Sequence, residues 1–369
     1  MPCSHVPQLS YSDFSRRLTP KLWAQRVPYA GTLILTYRCN QRCAHCYCSL
    51  PSDDRDALAR ELTFKEISRI IDELAEAGCL WLLITGGEPL LREDFWDIYL
   101  YARRKGIFVE LFSNGTLWDA GLIDRLAEVR PSGIEFSIYG ATKETHERIT
   151  GVEGSWERLE KGIRLALGRG LPLTLKSVLM SLNKHELPAM EAYAASLPLD
   201  SAFVYDTLIT QRIDEKPGGA DLRLSPEEIV ALDAASPTRM REYADILRTF
   251  GKLPKNELLM CGAGLIGFCV DPYGRLQPCD SFIDFAYDLR KGSFAQGWNE
   301  AMPRFREEME KTLSPDCLKC DIIPLCDNCP GYALLEHRCL GGVVDDLCRK
   351  AKLRHEALGG VHAEGEKAV

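Results

Sequence analysis

The sequence predicts an α/β fold, a partial (β/α)6 TIM-like barrel followed by a Cys-rich C-terminal domain, and three observations predict it. Apolar, β-rich runs alternate with amphipathic helical stretches through the first two thirds of the chain, the pattern of βα units around a parallel sheet. Six such runs suit an open barrel better than the closed eight-stranded form, although a doubly wound sheet leaves much the same pattern. From about Asn256 the alternation stops and cysteines crowd together.

Taken in order, the strands are expected at Thr32–Tyr37, Trp81–Thr85, Phe108–Ser113, Gly133–Ile138, Leu173–Leu179 and Ala202–Asp206. Between the first two, Thr63 to Glu66 reads as a capping box opening an apolar face at helical spacing, and similar helices fill the other gaps. Pro217-Gly-Gly-Ala220 breaks the pattern, and a helix starts near Ser225. The expected division is an N-terminal extension (1–28), the barrel (29–220), linker helices (221–255), the Cys-rich domain (256–350) and a tail (351–369). The tail's last residues, from His362, have little to pack and are expected to be mobile.

The bulk numbers exclude several classes. With 369 residues, 46% of them apolar, the chain buries a substantial core and exceeds the usual domain of about 100–200 residues. A net charge of −8 and the lack of a concentrated basic run argue against nucleic acid as a partner. Met1 to Arg17 lacks the apolar core of a signal peptide, and no run approaches the roughly 18 apolar residues of a membrane span. A soluble, cytoplasmic protein is expected. In reducing cytosol, fifteen cysteines point to metal or redox chemistry rather than to disulfides.

The first cysteine group, Cys39-Asn-Gln-Arg-Cys43-Ala-His-Cys46, follows the first expected strand, at the end where this architecture places chemistry. A cubane cluster has four iron corners, so three thiolates leave one iron open. A zinc site would recruit a fourth ligand, for which His45 and Cys48 are at hand. The Cys-x3-Cys-x2-Cys spacing, with an aromatic-type residue before the third Cys, resembles the signature loop of radical S-adenosylmethionine enzymes. Gly86-Gly87-Glu88-Pro89, closing the second strand, is similar to the family motif that holds the cofactor's amino group. A Gly-Gly turn alone would mean only a tight strand-to-helix connection. Asn114 and Ser137, ending the third and fourth strands, match positions where relatives contact the ribose and the carboxylate. Their plainer reading is as turn residues.

The resemblance implies that S-adenosylmethionine chelates the open iron, that an electron from the cluster cleaves its carbon–sulfur bond, and that the resulting 5′-deoxyadenosyl radical abstracts hydrogen from a substrate. Flavodoxin or ferredoxin would supply the electron. Further residues read as cavity candidates are Arg148, for a carboxylate, Lys176 and Ser177 in an otherwise apolar run, and Asp206 at the end of the sixth strand. For Arg148 a solvated helix face explains the residue equally well.

The second group is Cys261, Cys279, Cys317, Cys320, Cys326, Cys329 and Cys348. Cys317-x2-Cys320 with Cys326-x2-Cys329 has zinc-ribbon spacing, which leaves Cys261 and Cys348 without partners. The whole set resembles the SPASM domain, whose outline is Cys, Gly-x4-Cys, Cys-x2-Cys-x5-Cys-x3-Cys and a last Cys; here the gap from Cys326 to Cys329 is one residue shorter. The resemblance implies two auxiliary four-iron clusters, a distal one on Cys317, Cys320, Cys326 and Cys348 and a proximal one on Cys261, Cys279 and Cys329. Cys269 is either a further proximal ligand or a buried small hydrophobe. Cys3, Cys48, Cys79 and Cys339 are read as structural.

Relatives with this module mostly modify ribosomally made peptides, by crosslinking, epimerisation or side-chain oxidation, and Tyr205 to Asp214 resembles a segment of such maturases. The segment before the first strand is too short for a leader-binding domain, so a separate leader-binding protein, or the barrel itself, is expected to recognise the peptide. The alternatives are modification of a small molecule, such as oxidative decarboxylation of a tetrapyrrole side chain, and a non-enzymatic iron–sulfur electron carrier or zinc-stabilised scaffold.

Overall fold

The computed structural model describes residues 11–199, 201–214, 218–250, 261–312, 314–327 and 329–365. Cys3, Pro217, Asn256 and residues 366–369 lie outside the described residues.

Nine strands make one sheet: β1 (Ala30–Ile34), β2 (Trp81–Thr85), β3 (Phe108–Ser113), β4 (Gly133–Ser137), β5 (Leu173–Val178), β6 (Val204–Asp206), β7 (Gly267–Val270), β8 (Arg275–Gln277) and β9 (Tyr287–Asp288). Their order is β9-β8-β7-β1-β2-β3-β4-β5-β6. Strands β1 to β6 run parallel in chain order, with registers such as Leu33↔Ile84, Phe112↔Glu135 and Ser137↔Lys176. This is the partial (β/α)6 barrel. Its strand ends converge: Arg212, beyond β6, donates to the carbonyls of Cys46 and Ser49, beyond β1, at 3.1 and 3.2 Å.

Alternation sorts each strand's side chains between two faces. Leu82, Ile84, Val109, Leu111, Ile134, Phe136, Leu173 and Leu175 are all almost fully buried and form the core with the surrounding helices. The helix Phe64–Glu76 contributes Ile67, Ile70, Ile71 and Leu74. The expected capping box at its start is present: Thr63 caps the Glu66 amide, and Glu66 accepts from the Thr63 amide at 2.7 Å. Ser225 and Glu228 repeat the device for the helix Pro226–Ala234.

Two differences have physical reasons. The first strand starts two residues earlier than expected and leaves the ladder after Ile34, because the carbonyls of Thr36 and Arg38 turn to accept the amides of Gly87 and Glu88. The Cys-rich region is not separate from the sheet, since β7 pairs parallel to β1, Ala30↔Gly267 through Leu33↔Val270. Gly31 makes that pairing possible, because a Cβ there would lie 2.1 Å from the Phe268 ring. The helix Asp345–Gly365 runs into the residues from His362. Among the described residues, no helix is long and apolar enough to cross a membrane.

Candidate functional site

The first cysteine loop is held by backbone contacts on two sides. On one side the Gly86-Gly87-Glu88 turn lies against residues 36–38: Gly87 N donates to Thr36 O at 2.7 Å and Glu88 N to Arg38 O at 2.9 Å. The approach is so close that a Cβ would come within 2.5 Å of the Thr36 oxygen at Gly86, and of the Arg38 oxygen at Gly87. On the other side Arg42 N and Ala44 N donate to Thr150 O and Ile149 O at 2.8 and 2.9 Å. The His146 to Gly151 segment thus supports the loop with its main chain. From above, Gly219 sits where a Cβ would be 2.7 Å from His45 Cα, and Ile213 N donates to Tyr47 O at 3.0 Å.

Beneath the loop lies a buried ion network. Arg38, immediately before Cys39, donates to both Glu61 oxygens at 2.9 and 3.1 Å, while Arg92 reaches the same carboxylate at 3.4 Å and Asp94 at 2.7 Å. Thr36 Oγ1 adds a 2.5 Å bond to Glu61. Breaking such a pair strands a buried charge, which makes the network a rigid foundation for the loop.

Glu88 is fully buried, and its carboxylate accepts from Ser113 Oγ (3.0 Å to each oxygen), Asn114 N (2.9 Å) and Leu90 N (3.1 Å). Burial pushes its pKa up to about 7 against these hydrogen bonds. Asn114 is turned to the cysteine loop, with Nδ2 2.7 Å from Asn40 Oδ1 and 3.8 Å from Cys39 Sγ; its Oδ1 accepts from Thr116 at 3.0 and 2.6 Å. The glycine motif and the end of β3 therefore meet at Cys39. Ser137 stands at the end of β4, facing away from the helices and hydrogen-bonded to the buried Tyr139.

The three thiols share one environment. Cys39 is pushed up to about 12 and Cys43 well above the usual thiol value, both by burial first; the charge of Cys46 acts on both, and that of Cys39 on Cys43. Cys46 is lowered to about 6 by hydrogen bonds, chiefly from the Cys48 thiol. Gln41 N donates to Cys39 Sγ at 3.4 Å. His45 packs edge-on to Tyr139 with ring centroids 4.7 Å apart, and burial lowers it to about 4. A metal cation at these thiols would invert the burial penalty on thiolate formation.

The C-terminal cysteines gather in two sets. The charges of Cys329 and Cys261 both raise Cys279, and that of Cys261 raises Cys329. Separately, Cys348 and Cys320 raise Cys317, and Cys320 raises Cys348. Cys326 Sγ lies 3.8 Å from the Leu347 carbonyl, beside Cys348. Cys269 is buried among Ile34, Tyr37 and Cys48, though close enough to Cys279 to feel its charge. The two groups are linked by their neighbours, Tyr47 after Cys46 donating to Asp280 after Cys279 at 3.2 Å. Among the described residues, no three His, Cys, Asp or Glu side chains converge as ligands of one metal ion. A single zinc requires thiolates about 2.3 Å from one point, whereas a cubane spreads them over separate irons.

Of the other sequence candidates, Lys176 lies on the face away from the helices, but Ser177 points the opposite way into the core. Arg148 donates to the Leu182 carbonyl at 2.8 Å rather than pairing with a carboxylate. Asp206 caps the turn after β6, accepting from Thr207 N and Leu208 N at 2.6 and 2.9 Å. The structure also brings in residues the sequence did not single out: Thr116, Asn40, Tyr139 and Arg212, the last paired with Asp214 at 2.8 and 2.9 Å. Each acts through a partner more than 70 positions away, or through a loop packing that no local pattern marks.

Residues 33–194 match the Radical SAM superfamily. The chain is 27% identical over 318 residues to an AdoMet-dependent heme synthase of Methanosarcina barkeri, covering 81% of this chain and 90% of the relative. To a PqqA peptide cyclase of Granulibacter bethesdensis it is 27% identical over 359 residues, 90% of each chain. Among solved structures, SuiB of Streptococcus suis bound to the precursor peptide SuiA shares the fold, with a TM-score of 0.67 at 14% identity over 94% of this chain and 84% of SuiB.

Proposed function

We propose, from the match of residues 33–194 to the Radical SAM superfamily, that the chain is a radical S-adenosylmethionine enzyme that modifies a ribosomally made peptide. The observation that carries the chemistry is the backbone docking of Gly86-Gly87-Glu88 onto residues 36–38, which joins the cofactor motif to the cysteine loop. In this reading Cys39, Cys43 and Cys46 hold the initiating cluster, and Gly86, Gly87, Glu88, Pro89, Asn114 and Ser137 line the cofactor. When bound, the cluster and S-adenosylmethionine supply the electron and the radical that removes hydrogen from the substrate.

The chain's own part is positional. Asn114 orients Asn40 and approaches Cys39, Gln41 N supports the Cys39 sulfur, and the loop beyond β6 covers Cys46 and limits solvent. The two C-terminal thiol sets support two auxiliary four-iron clusters, proximal on Cys261, Cys279 and Cys329 and distal on Cys317, Cys320, Cys326 and Cys348, within a module spanning 256–350. The Tyr47–Asp280 contact sets the proximal group beside the initiating loop. Reduced flavodoxin or ferredoxin as donor, a separate leader-binding protein and a cytoplasmic site complete the proposal.

The likeness to a peptide cyclase along nine tenths of both chains favours the peptide substrate. The likeness to a heme synthase supports a second reading, removal of a tetrapyrrole side-chain carboxylate. The test is anoxic reconstitution and reduction, with 5′-deoxyadenosine release compared against a Cys39→Ala, Cys43→Ala, Cys46→Ala variant. Candidate peptides and a propionate-bearing tetrapyrrole are then offered and product masses read. Release by the native protein alone, with a mass change in a peptide, is expected. Carbon dioxide release from the tetrapyrrole would move the conclusion to the second reading, and equal release by the variant would overturn both.

A further inference from the structure

Gln41 stands midway between the first two cysteines of the loop, and its main chain and side chain each meet a sulfur. Its backbone N donates to Cys39 Sγ at 3.4 Å. The residue is only 2% exposed, and its Oε1 accepts from the Cys43 thiol at 3.5 Å. The other end of the carboxamide, Nε2, is sealed from solvent and has no hydrogen-bond partner among the described residues. Leaving a buried N–H donor unpaired costs more than a hydrogen bond returns, so the side chain is built for a partner that lies within the protein.

Iron binding reverses what the Cys43 sulfur offers. A cysteine that ligates iron is a thiolate, an acceptor with no hydrogen to give. Oε1 would then face a negative sulfur, and with Nε2 still unpaired both ends of the carboxamide would lack a partner. The oxygen and the NH2 group are nearly the same in shape, and the last side-chain torsion of Gln has two broad wells. A half-turn therefore exchanges the two ends within the same space. It turns Nε2–H to Cys43 Sγ and leaves only the oxygen unpaired.

We infer that Gln41 is a double donor to the initiating cluster assigned above, giving its backbone N–H to Cys39 and its turned carboxamide N–H to Cys43, and that it thereby raises the cluster's reduction potential. The role rests on that cluster reading and holds whether the substrate is a peptide or a tetrapyrrole. An N–H donor stabilises negative charge on a ligand sulfur and so favours the reduced state. Gln41 itself changes no covalent bond and passes no proton, and the single electron comes from the flavodoxin or ferredoxin donor. What the residue contributes is to bring that transfer within the reach of such a donor.

The test is a redox titration of the anoxically reconstituted full chain, followed by EPR without S-adenosylmethionine. The initiating cluster's signal is the part that the Cys39→Ala, Cys43→Ala, Cys46→Ala variant lacks. Gln41→Met keeps the side chain's length and removes the amide, whereas Gln41→Glu keeps its shape and replaces the donor with a negative acceptor. At a fixed applied potential, Gln41→Met is expected to lower the ratio of reduced to oxidised cluster about three- to tenfold, the worth of one hydrogen bond; tenfold is about 59 mV for a one-electron couple. Gln41→Glu should lower it further. The sign decides, because an oxygen left facing the sulfur would make its removal raise the potential. A rise or no change in Gln41→Met would overturn the assignment. A second measurement needs no variant: with glutamine side-chain nitrogen labelled as 15N, pulsed EPR of the reduced native protein should show a 15N coupling in the initiating cluster's signal. Its absence would overturn the assignment even where the variants load iron poorly. Native protein with the same iron content and spectrum as the triple variant would instead sink the cluster reading itself.

Discussion

Replacing Gly87 with Ala tests whether the Gly86-Gly87-Glu88 turn acts by close backbone approach. The added Cβ would lie 2.5 Å from Arg38 O, 2.7 Å from Tyr37 O and 2.8 Å from Arg38 C. Side-chain Cβ atoms essentially never come closer than 3.0 Å, so the two segments must separate by at least 0.5 Å. The neighbours are backbone, and no rotamer change relieves them. Separation also stretches the bonds from Gly87 N to Thr36 O and from Glu88 N to Arg38 O, now 2.7 and 2.9 Å. Overpacking of this kind costs about 1–3 kcal/mol, and the displaced residue Arg38 immediately precedes Cys39. The variant should melt several degrees lower, load less iron per chain on anoxic reconstitution and release 5′-deoxyadenosine at a much reduced rate. Native melting, iron content and release would refute the reasoning, because they would mean that the glycine is not required by the contact.

Three further outcomes follow from other parts of the molecule. Gly31→Ala sets a Cβ 2.1 Å from the Phe268 ring, so it should loosen β7 from β1 at a cost of about 1–3 kcal/mol, seen as faster proteolysis between residues 250 and 270; unchanged proteolysis would count against the pairing. Glu61→Gln removes the charge that balances Arg38 and Arg92 and should cost about 3–5 kcal/mol in denaturant unfolding, while a loss below 1 kcal/mol would show the network to be dispensable. His146 is lowered to about 4 from 6.5 by burial, and its Nδ1 accepts from Tyr139 N at 3.2 Å, which requires the neutral ring. The unfolded chain binds the proton first, so stability should fall as pH drops from 6.5 towards 4, by roughly 3 kcal/mol in all. His146→Phe should flatten that slope, and an unaltered slope would assign it to other groups.

What the sequence determined by itself was whatever short-range pattern encodes. The alternation and helical spacing that mark β1 to β6, the capping box at Thr63 and the helix start near Ser225 depend on residues a few positions apart, and all were legible there. The spacing of Cys39, Cys43 and Cys46 was legible for the same reason, since three thiols on one loop fix their own separation. Tertiary structure alone decided the relations between distant segments. β7 joins β1 because Gly31 leaves room for Phe268, which no window of sequence containing only one of them reveals. Lys176 and Ser177 are adjacent and both polar, yet strand phase turned one to the lumen and the other into the core. Arg148 found a carbonyl rather than a carboxylate because of what the fold set in its reach. Local periodicity fixes which elements form, and strand register with loop packing fixes which of their side chains meet.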